Sequence, residues 1–377
     1  MMKESIVIRN FGPIEKIEIT DILPFTIFVG ESGSGKSTVM KAIILFRWIY
    51  KWVNIRSYLR HSNISRSPFS FDFKSLLNSN GLIEYLKDDT EIIYTKGDNS
   101  ISYAGSLKAN IIIPEVDLSL EKMCFIADKR NIIPDILSNK VSLQSDFYLK
   151  ETLDDILLAF NEIKQLDVKY LGVKFTLKKE NGINKYNIES TKSDKPYKIS
   201  LYNASSGTQT LVPLSVIIEY FSKHYDFNAR FNAIVLDYLA RNDSLKDFSA
   251  KQNIGDIKHR NVHIHIEEPE LSLYPDNQRS LINFIVNRCF VETHPKYEMT
   301  VMMTTHSPYI INHLNLLIKA NDRGKLIEGA RLDFDRIAVY QIADGKLYDL
   351  KIENERLINT NILSEAINDI YDQYEQL

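Results

Sequence analysis

Glycine is scarce in this chain, with 14 residues in 377. Three of them, Gly30, Gly33 and Gly35, nevertheless fall within six consecutive positions. Cysteine is scarcer still. Cys124 and Cys289 lie far apart with no CxxC pairing, which excludes a disulfide framework and a cysteine zinc site and reads as two apolar thiols in a reducing compartment. No charge of one sign dominates, since 46 Lys and Arg face 49 Asp and Glu for a net charge of −3. There is thus no global drive toward nucleic acid, and any such contact falls to a local patch or a partner. Long apolar runs are also missing. The stretch from Ala42 to Val53 is broken by Arg47 and Lys51, well short of the roughly 20 residues that span a bilayer. Met1-Met2-Lys3-Glu4-Ser5 leads into an alternating pattern rather than a secretion signal. The expectation is a soluble, cytoplasmic protein without a membrane partner. Disorder is excluded by 44% hydrophobic and 25% charged residues.

Along the chain, Ile6–Ile8 and Ile17–Ile19 read as short strands around the turn Gly12-Pro13, and Phe25–Val29 as a strand buried on both faces. The glycine cluster and a helix over 37–59 follow. A hairpin is predicted at Gly97-Asp98-Asn99, a helix over 151–165, and meander strands from Val168 to Tyr202. A second helix starts near Thr208, and 224–260 forms a charged helical insertion. Strand Val262–Ile266, helix Asp276–Cys289, strand Met299–Thr304, strands Ile337–Gln341 and Leu347–Ile352 and a helix from about Ser364 complete the pattern. Strands and helices alternating in this way predict an α/β fold with a parallel or mixed sheet flanked by helices. The expected organisation is a discontinuous head over 1–60 and 198–377, with an inserted lobe over 61–197 and the helical insertion at 224–260.

Gly30-Glu31-Ser32-Gly33-Ser34-Gly35-Lys36-Ser37 fits G-x-x-x-x-G-K-[ST], preceded by a strand and followed by a helix as that motif requires. Glycines let backbone N–H groups converge on phosphate, and the helix N-terminus adds partial positive charge. Lys36 is expected to reach the β- and γ-phosphates of ATP, with Ser37 on Mg²⁺ and Thr38 beside it. A second buried strand, Val262–Ile266, ends in Glu267-Glu268. Acids at a strand's C-terminal end stand where open α/β sheets bind ligands, so Glu267 is assigned to Mg²⁺ and Glu268 to the general base. Ala233-Ile234-Val235-Leu236-Asp237 imitates this pattern, but Tyr238 follows and the segment reads as helix.

Three further motifs occur in the order found in ABC-type ATPases. Ser205-Ser206-Gly207-Thr208-Gln209 resembles the ABC signature, Thr304-Thr305-His306-Ser307-Pro308 resembles the switch-histidine segment, and Asn10-Phe11-Gly12-Pro13-Ile14 resembles the first-strand exit. With Glu267-Glu268-Pro269-Glu270, the set is similar to the SMC- and OLD-like ATPases, including the ATPase subunits of the anti-phage systems Septu, PARIS and retron modules. This resemblance implies a head-to-tail dimer, or a higher oligomer, that sandwiches ATP. Ser206, Gly207 and Gln209 would face the nucleotide of the other protomer, and His306 would sense the γ-phosphate. Arg130 sits where OLD-like proteins often carry an arginine after a strand. Thr208 stands where transporters have a second glycine, which disfavours a transporter partner. No glutamine loop is assigned, because Gln144 and Gln165 lack a recognisable setting.

The segment 47–66 interleaves Arg47, Lys51, Arg56, Arg60, His61 and Arg66 with Trp48, Tyr50, Trp52 and Tyr58. A nucleic-acid groove wants this mixture, but helical spacing spreads the cations around the axis, and the segment reads as packing against the insertion or a partner. His263 and His265 read as sheet-packing residues. Leu332-Asp333-Phe334-Asp335 has the letters of a TOPRIM D-x-D motif without its upstream glutamate strand, and reads as a charged turn. The functional expectation is therefore a Mg²⁺-dependent ATPase that senses for, or regulates, a separate effector, a nuclease or toxin, in anti-phage defence. A DNA-repair ATPase that clamps DNA directly and an ATP-bound scaffold with little turnover remain as alternatives.

Overall fold

In the computed structural model every residue is described except 1, 65–70, 139–146, 192–193, 195, 242–245, 247, 251–253, 362–369 and 377. Arg66, Gln144 and the expected start of the last helix at Ser364 lie outside the described residues.

The chain begins with the hairpin β1 (Glu4–Phe11) and β2 (Ile14–Ile19), then β3 (Phe25–Val29) and α1 (Lys36–His61). After α2 (Phe73–Ser79) come β4 (Leu86–Lys96), β5 (Asn99–Ala104), β6 (Ser106–Lys108) and β7 (Ser119–Ile126). Two helices follow, α3 (Ile133–Leu137) and α4 (Phe147–Glu162), and then strands β8 (Gln165–Val168), β9 (Val173–Glu180), β10 (Ile183–Ser190) and β11 (Lys198–Ser200). The remainder is α5 (Ser206–Lys223), α6 (Phe227–Arg241), β12 (His259–Glu267), α7 (Pro275–Val286), β13 (Glu298–Thr305), α8 (Pro308–Asp322), β14 (Ile337–Ala343) and β15 (Lys346–Asp349).

Eleven strands make one mixed sheet in the order β6-β5-β4-β1-β2-β15-β14-β3-β13-β12-β7, and β8 to β11 form a separate antiparallel sheet. The strands β7, β12, β13, β3 and β14 run parallel, as expected where helices cover a sheet. The expectation of an inserted lobe over 61–197 needs correction, because β4 to β7 are strands of the main sheet. β4 pairs with β1 and β7 with β12, both far away in sequence, so local alternation could not reveal how the segment joins the sheet. Among the described strands of 61–197, β8, β9 and β10 stand apart from that sheet, as does β11 just beyond the segment. The segment imitating a carboxylate strand, Ala233–Asp237, is part of α6.

Helix α1 organises the interior. Nineteen of its 26 residues are buried, the pattern of a helix enclosed all round rather than laid on a surface. The main sheet curls around it, so that strands far apart in the sheet order meet across the helix. Arg47 on α1 donates to Glu4 on β1 at 2.6 Å and lies 2.9 Å from His265 on β12. Lys96 on β4 reaches Glu121 on β7 at 2.6 Å, and the other Glu121 oxygen lies 2.7 Å from His263. Tyr94 donates to Glu4 at 2.8 Å. All of these groups are buried, and charges in such surroundings persist only when paired and hydrogen-bonded. The two histidines are thus packing residues, as their alternation indicated. Arg47 and Arg56 are likewise excluded from any nucleic-acid groove, Arg56 being buried against the carbonyls of Ala109 and Ile111. Tyr58 meets Phe231 and Phe248 of the insertion edge-on or tilted.

Burial would raise the Glu4 carboxyl, but the charges of Arg47 and Lys96 outweigh it and hold the group at about 2. Burial, with the field of Arg47, pulls His263 down to about 4 against the hydrogen bond that Glu121 accepts from it. Between pH 6.5, the ordinary histidine value, and pH 4 the unfolded chain takes up a proton that folded His263 refuses. Stability therefore falls as pH falls through that window, and Glu4 extends the fall below its ordinary value of 4.5. Denaturant unfolding should show stability declining steadily as pH falls from about 6.5 to 4. A stability that stays constant from pH 6.5 to pH 4 would contradict the network.

Candidate nucleotide-binding site

Three loops leave the main sheet side by side. The parallel register pairs Val29 of β3 with Thr305 of β13, and Thr304 of β13 with Glu267 of β12. The next residues in each strand are Gly30, His306 and Glu268, so the glycine loop, the switch segment and the carboxylate pair emerge at one edge and one level. Strand C-terminal ends of this kind form the ligand crevice of α/β sheets.

The glycine loop needs its glycines at specific places. Gly30, Gly33 and Gly35 have φ of 147°, 82° and 104°, a region other residues seldom enter. A Cβ on Gly30 would run into the Ile342 carbonyl, and one on Gly35 would lie 2.6 Å from Ile14. Gly35 is the residue from which α1 starts, so the loop's N–H groups and the helix N-terminus share one concavity. Glu31, Ser32 and Gly33 are exposed, Ser34 and Ser37 half-buried and Thr38 buried. The Ser34 hydroxyl is buried without a partner among the described residues. Lys36 Nζ donates to the carbonyls of Gly30 at 2.9 Å and Glu31 at 2.7 Å. Burial lowers its ammonium below the ordinary lysine value, opposed by the carboxylates of Glu268 and Glu270.

Glu267 is buried, with an oxygen 3.3 Å from Lys41 Nζ. Lys41 lies four residues after Ser37, on the same face of α1, a spacing that could have marked it in the sequence. Glu268 is more open, and its carboxylate oxygen stands 3.7 Å from His306 Nε2. Its backbone is left-handed, with φ of 43°, a conformation that needs outside support in a non-glycine residue. Glu270 accepts the His306 backbone N–H at 2.7 Å, a contact that no local motif marks. The loop is tied further by Gln278, which donates to the Leu273 carbonyl at 3.0 Å and accepts from the Ser307 hydroxyl.

Arg130 is almost fully enclosed. Its Nη1 donates to the carbonyls of Ala127 at 3.1 Å and Glu267 at 2.7 Å, and its Nη2 to that of Glu268 at 2.6 Å. Burial draws Arg130 down to about 10, against the opposing fields of Glu270, Asp128, Glu268 and Glu267.

Lys36, Glu267, Glu268 and His306 thus come together, while Ser206, Gly207 and Gln209 are carried on the first turn of α5. There Ser205 caps the helix and Ser206 is exposed. A Cβ on Gly207 would lie 3.0 Å from the Ser272 carbonyl, so this turn touches the loop that follows Glu268. Gln165 is exposed on β8. Asp333 and Asp335 of the charged turn lie 3.9 and 3.6 Å from Arg356. No group of three or more potential metal-binding His, Cys, Asp or Glu residues occurs among the described residues. No helix among them is long and apolar enough to cross a membrane.

A glycine loop between a central parallel strand and α1, with acids closing the parallel strand next but one to it, defines a P-loop NTPase. The family model described as AAA ATPase domain matches residues 2–48 and 49–311, and the chain belongs to that family. No curated protein matches it. Among solved structures, it is similar to an SMC head bound to the C-winged helix domain of ScpA, with 14% identity, 94% of this chain and 100% of that one covered, and a TM-score of 0.39. The SMC head domain from Thermotoga maritima gives 14% identity, 94% and 100% coverage and a TM-score of 0.35. The recombination mediator protein RecF of the RecFOR pathway gives 10% identity, 93% and 98% coverage and a TM-score of 0.36.

Two substitutions separate binding from folding. Lys36→Ala is expected to abolish binding of a fluorescent ATP analogue with little change in melting temperature, since the two carbonyls it releases are only partly buried. Gly30→Ala should weaken binding and also destabilise the fold by about 1–3 kcal/mol, because backbone blocks its Cβ. An unchanged melting temperature for Gly30→Ala would contradict the described packing.

Proposed function

We propose that the chain binds and hydrolyses ATP with Mg²⁺, dimerises head-to-tail on ATP, and senses for or regulates a separate effector. The observation that carries the hydrolytic part is the shared edge at which Lys36, Glu267, Glu268 and His306 emerge. Lys36 exchanges the carbonyls of Gly30 and Glu31 for phosphate oxygens, and the start of α1 adds its positive end. Glu268 accepts a proton from the attacking water, and His306, 3.7 Å away, orients that carboxylate and reads the γ-phosphate. The donor set of one hydroxyl, Ser37, and one buried carboxylate, Glu267, is hard oxygen and fits Mg²⁺. Lys41 beside Glu267 marks that position as one that favours positive charge. When bound, the ion neutralises charge on the phosphates. Ser206, Gly207 and Gln209 complete the site of the facing protomer, supported by the exposure of Ser205 and Ser206 at the N-terminus of α5.

An effector, a nuclease or toxin in anti-phage defence, is supported by the sequence resemblance and by the D-x-D letters at 333–335 being taken up with Arg356. Glu268→Gln, which keeps the site's shape but removes the base, should retain ATP and run as a dimer by light scattering when ATP is present. Identical oligomers with and without ATP would contradict the head-to-tail assembly.

A second reading, direct contact with nucleic acid, is favoured by one feature. Nine lysines and four acidic residues fall between 164 and 200, the segment that builds the small sheet, in a chain whose net charge is −3. Lys178 and Lys185 stand directly opposite each other across β9 and β10 and both are exposed, a like-charge pairing that costs stability unless an anion is met. Lys178→Glu with Lys185→Glu should abolish any salt-sensitive DNA or RNA binding while leaving ATP binding intact. Nucleic-acid affinity unchanged by this pair would exclude the small sheet as the contact.

A further inference from the structure

The backbone of Glu268 is held in a conformation that it would not adopt unaided, and the group that holds it is a buried arginine from another strand exit. Glu268 has φ of 43°. Its N–H donates to the Thr304 carbonyl at 3.0 Å, and its own carbonyl and that of Glu267 accept from Arg130 at 2.6 and 2.7 Å. A third bond, to the Ala127 carbonyl at 3.1 Å, anchors the guanidinium to the chain that leaves β7. Arg130 forms none of its described hydrogen bonds with a carboxylate. Its fork engages only backbone carbonyls, two of them on the proposed metal-binding and base residues. An arginine spent on ion pairing would be expected to reach the carboxyl groups nearby. Here the planar donors instead fix the peptide planes on both sides of the Glu268 Cα, and with them the direction in which its side chain leaves the backbone.

We infer that Arg130 is a positioning residue, whose guanidinium clamps the carbonyls of Glu267 and Glu268 and so aims the Glu268 carboxylate at the attacking water. The inference rests on the hydrolytic reading of the site given above. Arg130 need not touch nucleotide, and its loss acts through Glu268. A single ammonium cannot reproduce a two-pronged planar fork, so lysine is a poor substitute although it keeps the charge.

The test uses the full chain as wild type, Arg130→Lys, Arg130→Ala, Glu268→Gln and the double variant Arg130→Lys/Glu268→Gln, with melting curves to establish that each is folded. The expected result is a kcat lowered about 10- to 100-fold in Arg130→Lys, the usual scale for groups that orient a reactive ligand, with affinity for ATP changed less than about threefold. On the Glu268→Gln background, Arg130→Lys should lower the residual rate no further, because residues acting as one unit are not additive. Guanidinium ion at low millimolar concentration should restore part of the Arg130→Ala rate, which a loss of folding alone would not permit. If Arg130→Ala fails to fold, the lysine variant and the double variant carry the test. An undiminished kcat in Arg130→Lys, beside a wild type that depends on Glu268, overturns the role of Arg130 alone. An equal loss on both backgrounds also overturns it, because the effect then bypasses Glu268. A wild type and Glu268→Gln that release phosphate equally overturn the hydrolytic reading together with this inference.

Discussion

The in-register parallel pairing of β3, β13 and β12 is the constraint on which the site depends. Each strand delivers one loop, and the pairing of Val29 with Thr305 and of Thr304 with Glu267 makes the three loops start at the same level. A slip of one residue in either ladder would turn the strand side chains to opposite faces and displace the carboxylates from the phosphate loop. Buried parallel strands resist such slips because both faces are packed. All five residues of β3 are buried, and so are seven of the eight in β13.

Helix α1 depends on the same sheet for a different purpose. Its N-terminus must remain open to phosphate while its body is enclosed, and the sheet meets both needs by curling around the body. The cost is a set of buried charges, because Arg47 on the helix faces Glu4 and His265 on strands that are not neighbours. Such pairs contribute little net stability but are costly to break, which makes them effective in fixing one arrangement of helix and sheet. The phosphate loop is thereby mounted on an element whose position is set by contacts with strands on both flanks.

How much of this was legible in the sequence depended on the range of the interaction. The phosphate loop was readable because strand, glycines, Lys36 and helix are contiguous, and the carboxylate pair because a buried strand ends in acids. The charged turn at 333–335 was readable for the same local reason. Segment 61–197 reads as a separate lobe because β4 to β7 join the main sheet through partners distant in sequence. Arg47 and Arg56 carried the composition of a nucleic-acid surface but lie in the interior, since Glu4, His265 and the 109–111 carbonyls become neighbours only in the fold. Arg130 is the extreme case. It acts on backbone carbonyls, which every residue possesses, so no residue type in the sequence could point to its partners.

Whether this shared edge hydrolyses ATP with Glu268 as the base is decided by phosphate release under saturating ATP and Mg²⁺. Steady release is expected from the wild-type chain, with a loss of at least about a hundredfold in Glu268→Gln while ATP stays bound. Equal release by the two proteins, or no release by the wild type under conditions where it binds ATP, would contradict the hydrolytic role of this edge.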